Sequence, residues 1–220
     1  MPSQAVLDSM SQRKQGHVAT VTGGAAPTTS GRNVRGIGCV IKNYGDPNAD
    51  SKIKAIDEAI TILVNKGYNL PETITFHLSS HNASFQKAPT EAFARTNDGS
   101  VGVEVFLGVN AVYSMPTPTS EGIAHKVHQY NLGDYVTTVT VHELGHVLHD
   151  LQSTDYFWGE ANEPLAGGDV MLAHQQISAY AATNKKEVVA EVFAAHNMGL
   201  KFHGTAVTQL YARCQGPRLL

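Results

Sequence analysis

Apolar residues recur at two different periods along the chain, and the two periods predict two kinds of element. Between Asp50 and Lys66 they return every three or four positions, as on the buried face of a helix, and Gly67 follows as a stop signal. The segments Thr73 to Ser79 and Val101 to Val109 alternate instead, as strands with one buried face do. We therefore expect a helix over 50–66 and a small sheet that contains both alternating segments.

The second half of the chain is predicted to be mainly helical. Helices are expected over residues 136–150, about 170–181, about 185–198 and about 205–213, with irregular connections over 110–135 and 151–167. A β-branched run from Val34 to Asn43 precedes the first helix and resembles one more strand. The expected fold class is α+β, with a small mixed sheet followed by a helical part.

The N-terminal residues differ in composition from the rest. Residues 1–33 are rich in Ser, Gln, Thr, Gly and Ala, so they offer little apolar surface to offset the entropy lost on ordering, and we expect a flexible arm. Residues 34–220 are predicted to form one domain, since a 220-residue chain with 42% hydrophobic residues can bury a core. Cys39 and Cys214 either pair or stay as buried thiols.

Charge and hydropathy limit the partners. The formal net charge of -3 provides no basic field for nucleic acid or anionic lipid. No apolar run is long enough to span a bilayer, and the first 20 residues contain no continuous apolar stretch behind a basic start, as a signal peptide would have. We expect a monomer that acts on protein or peptide, without nucleic-acid or membrane partners. It would be secreted or delivered without a visible signal, or else cytoplasmic.

The most specific chemistry lies in the sequence HELGH. His142 and His146 are four residues apart, so on a helix both lie on one face and can bind one metal ion. Glu143 stands between them, where a metal-dependent hydrolase has its general base. The motif predicts one catalytic Zn²⁺ ion.

A catalytic zinc site needs a third protein ligand. The metzincin pattern is excluded because the run VLHDLQSTDY after His146 lacks its glycine and third histidine. His149 shares the helix face but lies a turn beyond His146, which suits a contact at the helix end better than ligation. Glu187 and Glu191 lie four apart on a predicted helix, so both project the same way. We assign Glu187 to the metal and Glu191 to a hydrogen bond from a ligating histidine.

HELGH followed by Tyr-x-x-Thr-Asn-x-x-Glu-x-x-x-Glu-x-Phe resembles the gluzincin-type metallopeptidases of the anthrax lethal factor and Pro-Pro endopeptidase group. The residues that match after HELGH are Tyr180, Thr183, Asn184, Glu187, Glu191 and Phe193. The resemblance covers residues 136–196 and implies a zincin-like metallopeptidase domain. It also implies that Glu187 is the third zinc ligand and that Tyr180 faces the substrate oxygen at the metal. His149 and the aromatic run at 156–158 depart from the group's pattern and leave substrate preference open.

These residues predict a zinc endopeptidase. Zinc lowers the pKa of its bound water to about 7, so Glu143 can accept the proton and pass it to the departing amine. Tyr180 is the expected donor to the developing oxyanion. The resemblance further implies a bacterial effector or toxin protease.

Several alternatives stay open. Another zinc amide hydrolase of deformylase type would require a cysteine ligand in a recognisable strand, and Cys39 stands alone. A non-catalytic zinc-binding toxin or interaction module would have no need of Glu143. Residues 101–109 form either an edge strand that pairs with substrate or an internal strand. Tyr156, Phe157 and Trp158 either line a side-chain pocket or pack in the core.

Overall fold

The first half of the described chain contains one mixed sheet. The computed structural model describes residues 26–79, 90–97, 100–108 and 122–220. The strands of the sheet are β1 (Thr28–Val34), β2 (Ile37–Asn43), β3 (Thr73–Ser79), β4 (Thr90–Asn97) and β5 (Ser100–Gly108). Their order across the sheet is β1-β2-β3-β5-β4. The three central strands β2, β3 and β5 are parallel, and the outer strands β1 and β4 are antiparallel to their neighbours.

Strand β1 lies largely inside the segment predicted to be an arm. Its first six residues are exposed, so pairing with the β2 backbone rather than burial holds it in the sheet. The hairpin turn between them has positive φ angles of 55° at Arg35 and 93° at Gly36, as the tight turns that match strand twist require. The predicted boundary at residue 33 is therefore wrong, because ordered structure starts before it. Residues 1–25 lie outside the described part.

The strand order shows whether residues 101–109 form an edge strand or an internal one. β5 pairs with β3 on one side and with β4 on the other, so it is an internal strand. Of the two alternatives for residues 101–109, the substrate-pairing edge is wrong and the internal strand is correct over the described strand, Ser100–Gly108. The edge strand next to β5 is β4, which was not predicted; among the described strands, β1 forms the opposite edge.

Helix α1 (Ala49–Asn65) covers one face of the sheet. The apolar positions that predicted this helix form its buried side, where Ile56, Ile60 and Leu63 are fully enclosed. It ends at Gly67, whose φ of 93° lets the chain turn away. The sheet residues that form the core alternate along their strands: Cys39, Ile41, Ile74, Phe76, Leu78, Val103, Val105 and Leu107.

Helices make up most of the second half, as expected, which confirms the α+β class. They are α2 (Ile123–Gln129), α3 (Tyr135–Gln152), α4 (Thr154–Trp158), α5 (Gly168–Leu172), α6 (Lys185–Asn197) and α7 (Ala206–Arg213). Helices α2 and α4 lie in segments predicted to be irregular. The helix expected over 170–181 stops earlier, because α5 runs into a π-helical turn, Ala173–Ile177, and the chain is extended at Ser178.

Helix α3 carries HELGH and is the centre of the helical part. Asp134 caps its first turn by accepting hydrogen bonds from the amides of Val136 and Thr137. The helix packs against α1, α2, α6 and strand β4, so it is buried on most of its circumference. The motif therefore lies on an element that its surroundings fix on several sides.

Cys39 and Cys214 are both buried free thiols, so they do not form a disulfide. Burial raises the pKa of each thiol to about 11, which keeps both protonated at neutral pH. Within the described residues, none of the helices combines the length and the apolar character needed to cross a bilayer.

Candidate metal centre

Helices α3 and α6 approach each other closely at Gly145 of the motif. A Cβ atom added to Gly145 would lie 2.9 Å from Cδ1 of Phe193, so a larger residue would force the helices apart. Phe193 is itself fully buried. This contact brings the carboxylates of α6 within reach of the histidines of α3.

Three side chains converge there, as the sequence predicted. The Nε2 atoms of His142 and His146 are 3.1 Å apart. The Oε2 atom of Glu187 lies 3.2 Å from the first and 3.3 Å from the second. The three atoms form a nearly equilateral triangle, and within the described residues this is the one group of three or more potential ligands close enough to share an ion.

The triangle fits a tetrahedral metal ion. Ligand bonds of about 2.0 to 2.1 Å separate neighbouring donors of a tetrahedron by about 3.3 to 3.4 Å, close to the observed sides. Two imidazole nitrogens and a carboxylate oxygen are also a donor set that zinc accepts. His142, His146 and Glu187 could therefore hold one metal ion.

Glu191 orients His142 from behind. Its Oε1 lies 3.0 Å from Nδ1 of His142, and because an ionised carboxylate can only accept, the ring proton belongs on Nδ1. In the neutral ring, Nε2 then carries the lone pair and points into the triangle, as a metal ligand requires. The structure thus places Glu191 where the sequence assigned it, at 3% exposure.

Two other groups donate to Glu191, and sequence reasoning missed both. Its Oε2 accepts hydrogen bonds of 2.6 Å from the backbone amide of Ile123 and from the hydroxyl of Ser178. No local pattern in the sequence signals either donor.

The pKa shifts of the clustered side chains follow from this arrangement. Burial lowers the pKa of His142, but hydrogen bonds to Glu187 and Glu191 outweigh it and raise the pKa well above its ordinary value. Burial also lowers the pKa of His146, and here Glu187 only partly compensates. Burial raises the pKa of Glu187, but the two histidines reverse this and lower it. Glu187 is therefore ionised and able to bind a cation.

The two predicted catalytic residues lie beside the cluster. Glu143 is buried on α3, one residue after His142 and three before His146. The ring of Tyr180 lies 5.9 Å from that of His142, centroid to centroid, and is 45% exposed. Tyr180 therefore lies next to the metal group and in reach of solvent.

The other matched residues shape the segment between Tyr180 and Glu187. The hydroxyl of Thr183 donates to the carbonyl of Tyr180, which closes a turn. The side chain of Asn184 accepts the amide of Glu187 and caps α6. These residues set where α6 begins, and hence where Glu187 points.

The remaining histidines of the described part lie outside the metal group. His149 is fully buried against Tyr156 and Phe157, with ring centroids 5.9 and 5.3 Å away. Phe157 belongs to the core, and Trp158 donates to Asp150, so packing is the better account of this aromatic run. His81 lies outside the described residues.

No protein-family model matches the chain, and no curated protein does.

Proposed function

We propose that the protein is a zinc-dependent endopeptidase of the gluzincin type, similar to the lethal factor and Pro-Pro endopeptidase group. The observation that carries the proposal is the triangle of His142, His146 and Glu187, backed by Glu191 on His142. A binding site alone would need the three ligands, whereas Glu143 beside them adds a base. The same resemblance extends the proposal to a secreted or delivered effector.

His142, His146 and Glu187 would hold the zinc ion, which would supply a water of lowered pKa and polarise the substrate carbonyl. Glu143 accepts the proton of the attacking water as it adds to the carbonyl carbon. It then gives that proton to the amine nitrogen when the C–N bond breaks. Tyr180 donates a hydrogen bond to the oxygen that gains charge, a contribution of roughly 3 kcal/mol for a well-placed donor.

The free edge of β4 is the proposed place for the substrate backbone. β4 packs against α3, the helix that carries the two histidines, and its outer edge has no partner among the described strands. An extended peptide can add to such an edge through main-chain hydrogen bonds. The scissile bond would then pass alongside the metal ligands, which suits cleavage within a chain.

The decisive test compares Glu143→Gln with the wild-type protein for zinc content and for cleavage of a peptide library. We expect the variant to keep zinc and to lose about 100-fold or more in cleavage rate, as removal of a general base does. Glu160→Gln is the matched control, because Glu160 is an exposed carboxylate. Cleavage by the wild type should also stop when a chelator removes the metal.

Three outcomes separate the alternatives. Zinc binding without cleavage by the wild type would support the non-catalytic module. Cleavage of small amides but of no peptide would support another amide hydrolase. Cleavage that Glu143→Gln or the chelator leaves unchanged would contradict the zinc mechanism.

A further inference from the structure

The segment that carries Tyr180 is fastened to the metal group from its buried side. Ser178, two residues earlier, is 1% exposed, and its hydroxyl donates to Oε2 of Glu191 at 2.6 Å. The Oγ atom of Ser178 in turn accepts a hydrogen bond of 2.9 Å from the backbone amide of Ala181. One hydroxyl thus joins the turn around Tyr180 to the carboxylate that orients His142.

The preceding π-helical turn gives Ser178 its place. The amide of Ser178 bonds the carbonyl of Ala173, which closes that turn, and the chain then becomes extended. The ammonium group of Lys126 on α2 donates to the carbonyl of Ile177. Helix α2 therefore secures this segment directly through Lys126, and its first amide binds the same Glu191 oxygen as Ser178. Single π-helical turns are uncommon and often occur at functional sites.

A serine hydroxyl suits this place because it can donate and accept at once. It donates its proton to a carboxylate that can only accept, and it offers a lone pair to the amide of Ala181. Alanine would remove both bonds together. Threonine would keep both, and cysteine would keep them only weakly.

We propose that Ser178 is a positioning residue that holds two groups in register, the imidazole of His142 through Glu191 and the phenol of Tyr180 through the turn at 178–181. The proposal rests on the proposed function, since it assigns these two groups their roles at the metal. It predicts that loss of the Ser178 hydroxyl weakens metal binding and makes Tyr180 less effective.

The first measurement is zinc affinity, by competition with a chelator. We expect Ser178→Ala to bind zinc about 10-fold more weakly, the lower end of the effect of losing an outer hydrogen bond. The absorption spectrum of the cobalt-substituted protein should change with it. Ser178→Thr should restore both, and Ser178→Cys should give an intermediate affinity even if the alanine variant does not fold.

Tyr211→Phe is the matched control for stability. The hydroxyl of Tyr211 is also buried and donates to the carbonyl of Pro217 at 2.6 Å, so the variant removes a comparable bond elsewhere. It should leave zinc affinity and the cobalt spectrum unchanged. Equal loss of zinc affinity in Ser178→Ala and Tyr211→Phe, or none in Ser178→Ala and Ser178→Cys, would overturn the proposal.

The second measurement couples Ser178 to Tyr180 through kcat at saturating zinc. Tyr180→Phe should lower kcat about 100-fold, as removal of one oxyanion donor does. If Ser178 acts through Tyr180, the double variant should lose much less than the product of the two single losses. Simple multiplication of the losses would refute the link to Tyr180.

The proposed function and the positioning role of Ser178 can be refuted separately. Absence of zinc binding by the wild type would refute the proposed function itself. Zinc binding without peptide cleavage would refute the endopeptidase, while the affinity series at Ser178 would still decide whether this residue positions His142.

Discussion

The two histidines of HELGH have opposite surroundings. Behind His142 lies Glu191, which also accepts hydrogen bonds from Ile123 and Ser178. Behind His146 lies the edge of Phe157, 6.1 Å from ring to ring, and no described group hydrogen-bonds its Nδ1 atom. One ring is held by a polar network and the other by packing.

This difference suggests that the Glu191 side of the group (the polar side) and the Phe157 side (the aromatic side) contribute to different properties of the protein. The polar side fixes the Nδ1 proton and the ring orientation of His142, so it should govern metal affinity. The aromatic side also includes His149 and Lys186, whose ammonium lies 3.8 Å from the centroid of Phe157. Because Phe157 and His149 are buried, this side should govern stability.

The largest effect should come from Glu187, which both sides share. Glu187→Ala removes one corner of the ligand triangle, so zinc affinity should fall by more than the roughly 100-fold that marks the upper range for outer partners. Chelator competition measures it, with Glu163→Ala, an exposed carboxylate near Lys185, as control. Undiminished affinity would mean that the ion binds elsewhere.

The next largest effect on zinc affinity should come from Glu191, on the polar side. Glu191→Gln keeps the shape of the side chain but offers one acceptor oxygen to three donors, so zinc affinity should fall about 10- to 100-fold. Isothermal titration of the metal-free variant measures the loss. An affinity equal to that of the wild type would contradict the division between the two sides.

A smaller effect is expected on the aromatic side. Phe157→Leu removes ring contacts in the core and should lower the free energy of unfolding by about 1 to 2 kcal/mol. Denaturant titration of the metal-free protein measures this, while zinc affinity should change by less than that of Glu191→Gln. The comparison fails if Phe157→Leu weakens zinc binding more than Glu191→Gln does.

The smallest effect is the loss of folding stability at low pH that His149 causes. Burial, with the nearby charges of His146 and Lys186, lowers the pKa of His149 to about 3. The unfolded chain therefore binds a proton at this site below about pH 6.5 that the folded chain refuses, and stability falls as the pH drops toward 3. Between pH 6 and pH 5 the loss should be about 1 kcal/mol.

Denaturant titration of the metal-free wild type and of His149→Leu at several pH values isolates the contribution of His149 to the pH dependence of stability. The variant should lose less stability than the wild type over the same pH interval, and the two should run parallel above pH 7. Equal pH dependence in both proteins would show that the ring can take up a proton without opening the aromatic side.

Much of the metal group could be predicted because its spacing is local. Helical periodicity alone places His142 and His146 on one face of α3, and Glu187 and Glu191 on one face of α6. Asn184 has the residue type and position of a helix cap. These relations hold wherever the helices pack.

The rest depends on contacts between distant segments. Ser178 and the Ile123 amide reach Glu191 across 13 and 68 positions of sequence, and nothing local announces such a meeting. β1 is exposed on both faces, so it lacks the apolar alternation by which a strand is recognised. The helix expected over 170–181 is broken because Ser178 turns extended to bond Glu191, a tertiary contact that overrides local preference.

Gly145 sets a limit on moving this site to another scaffold. Its missing side chain fixes how closely α6 can cross α3, and that spacing carries Glu187 to the two histidines. A designer who grafts HELGH onto a new helix gains two potential ligands and the glutamate between them, but gains the third potential ligand only with a second helix crossing at the same depth. The portable unit is the crossed helix pair, not the five-letter motif.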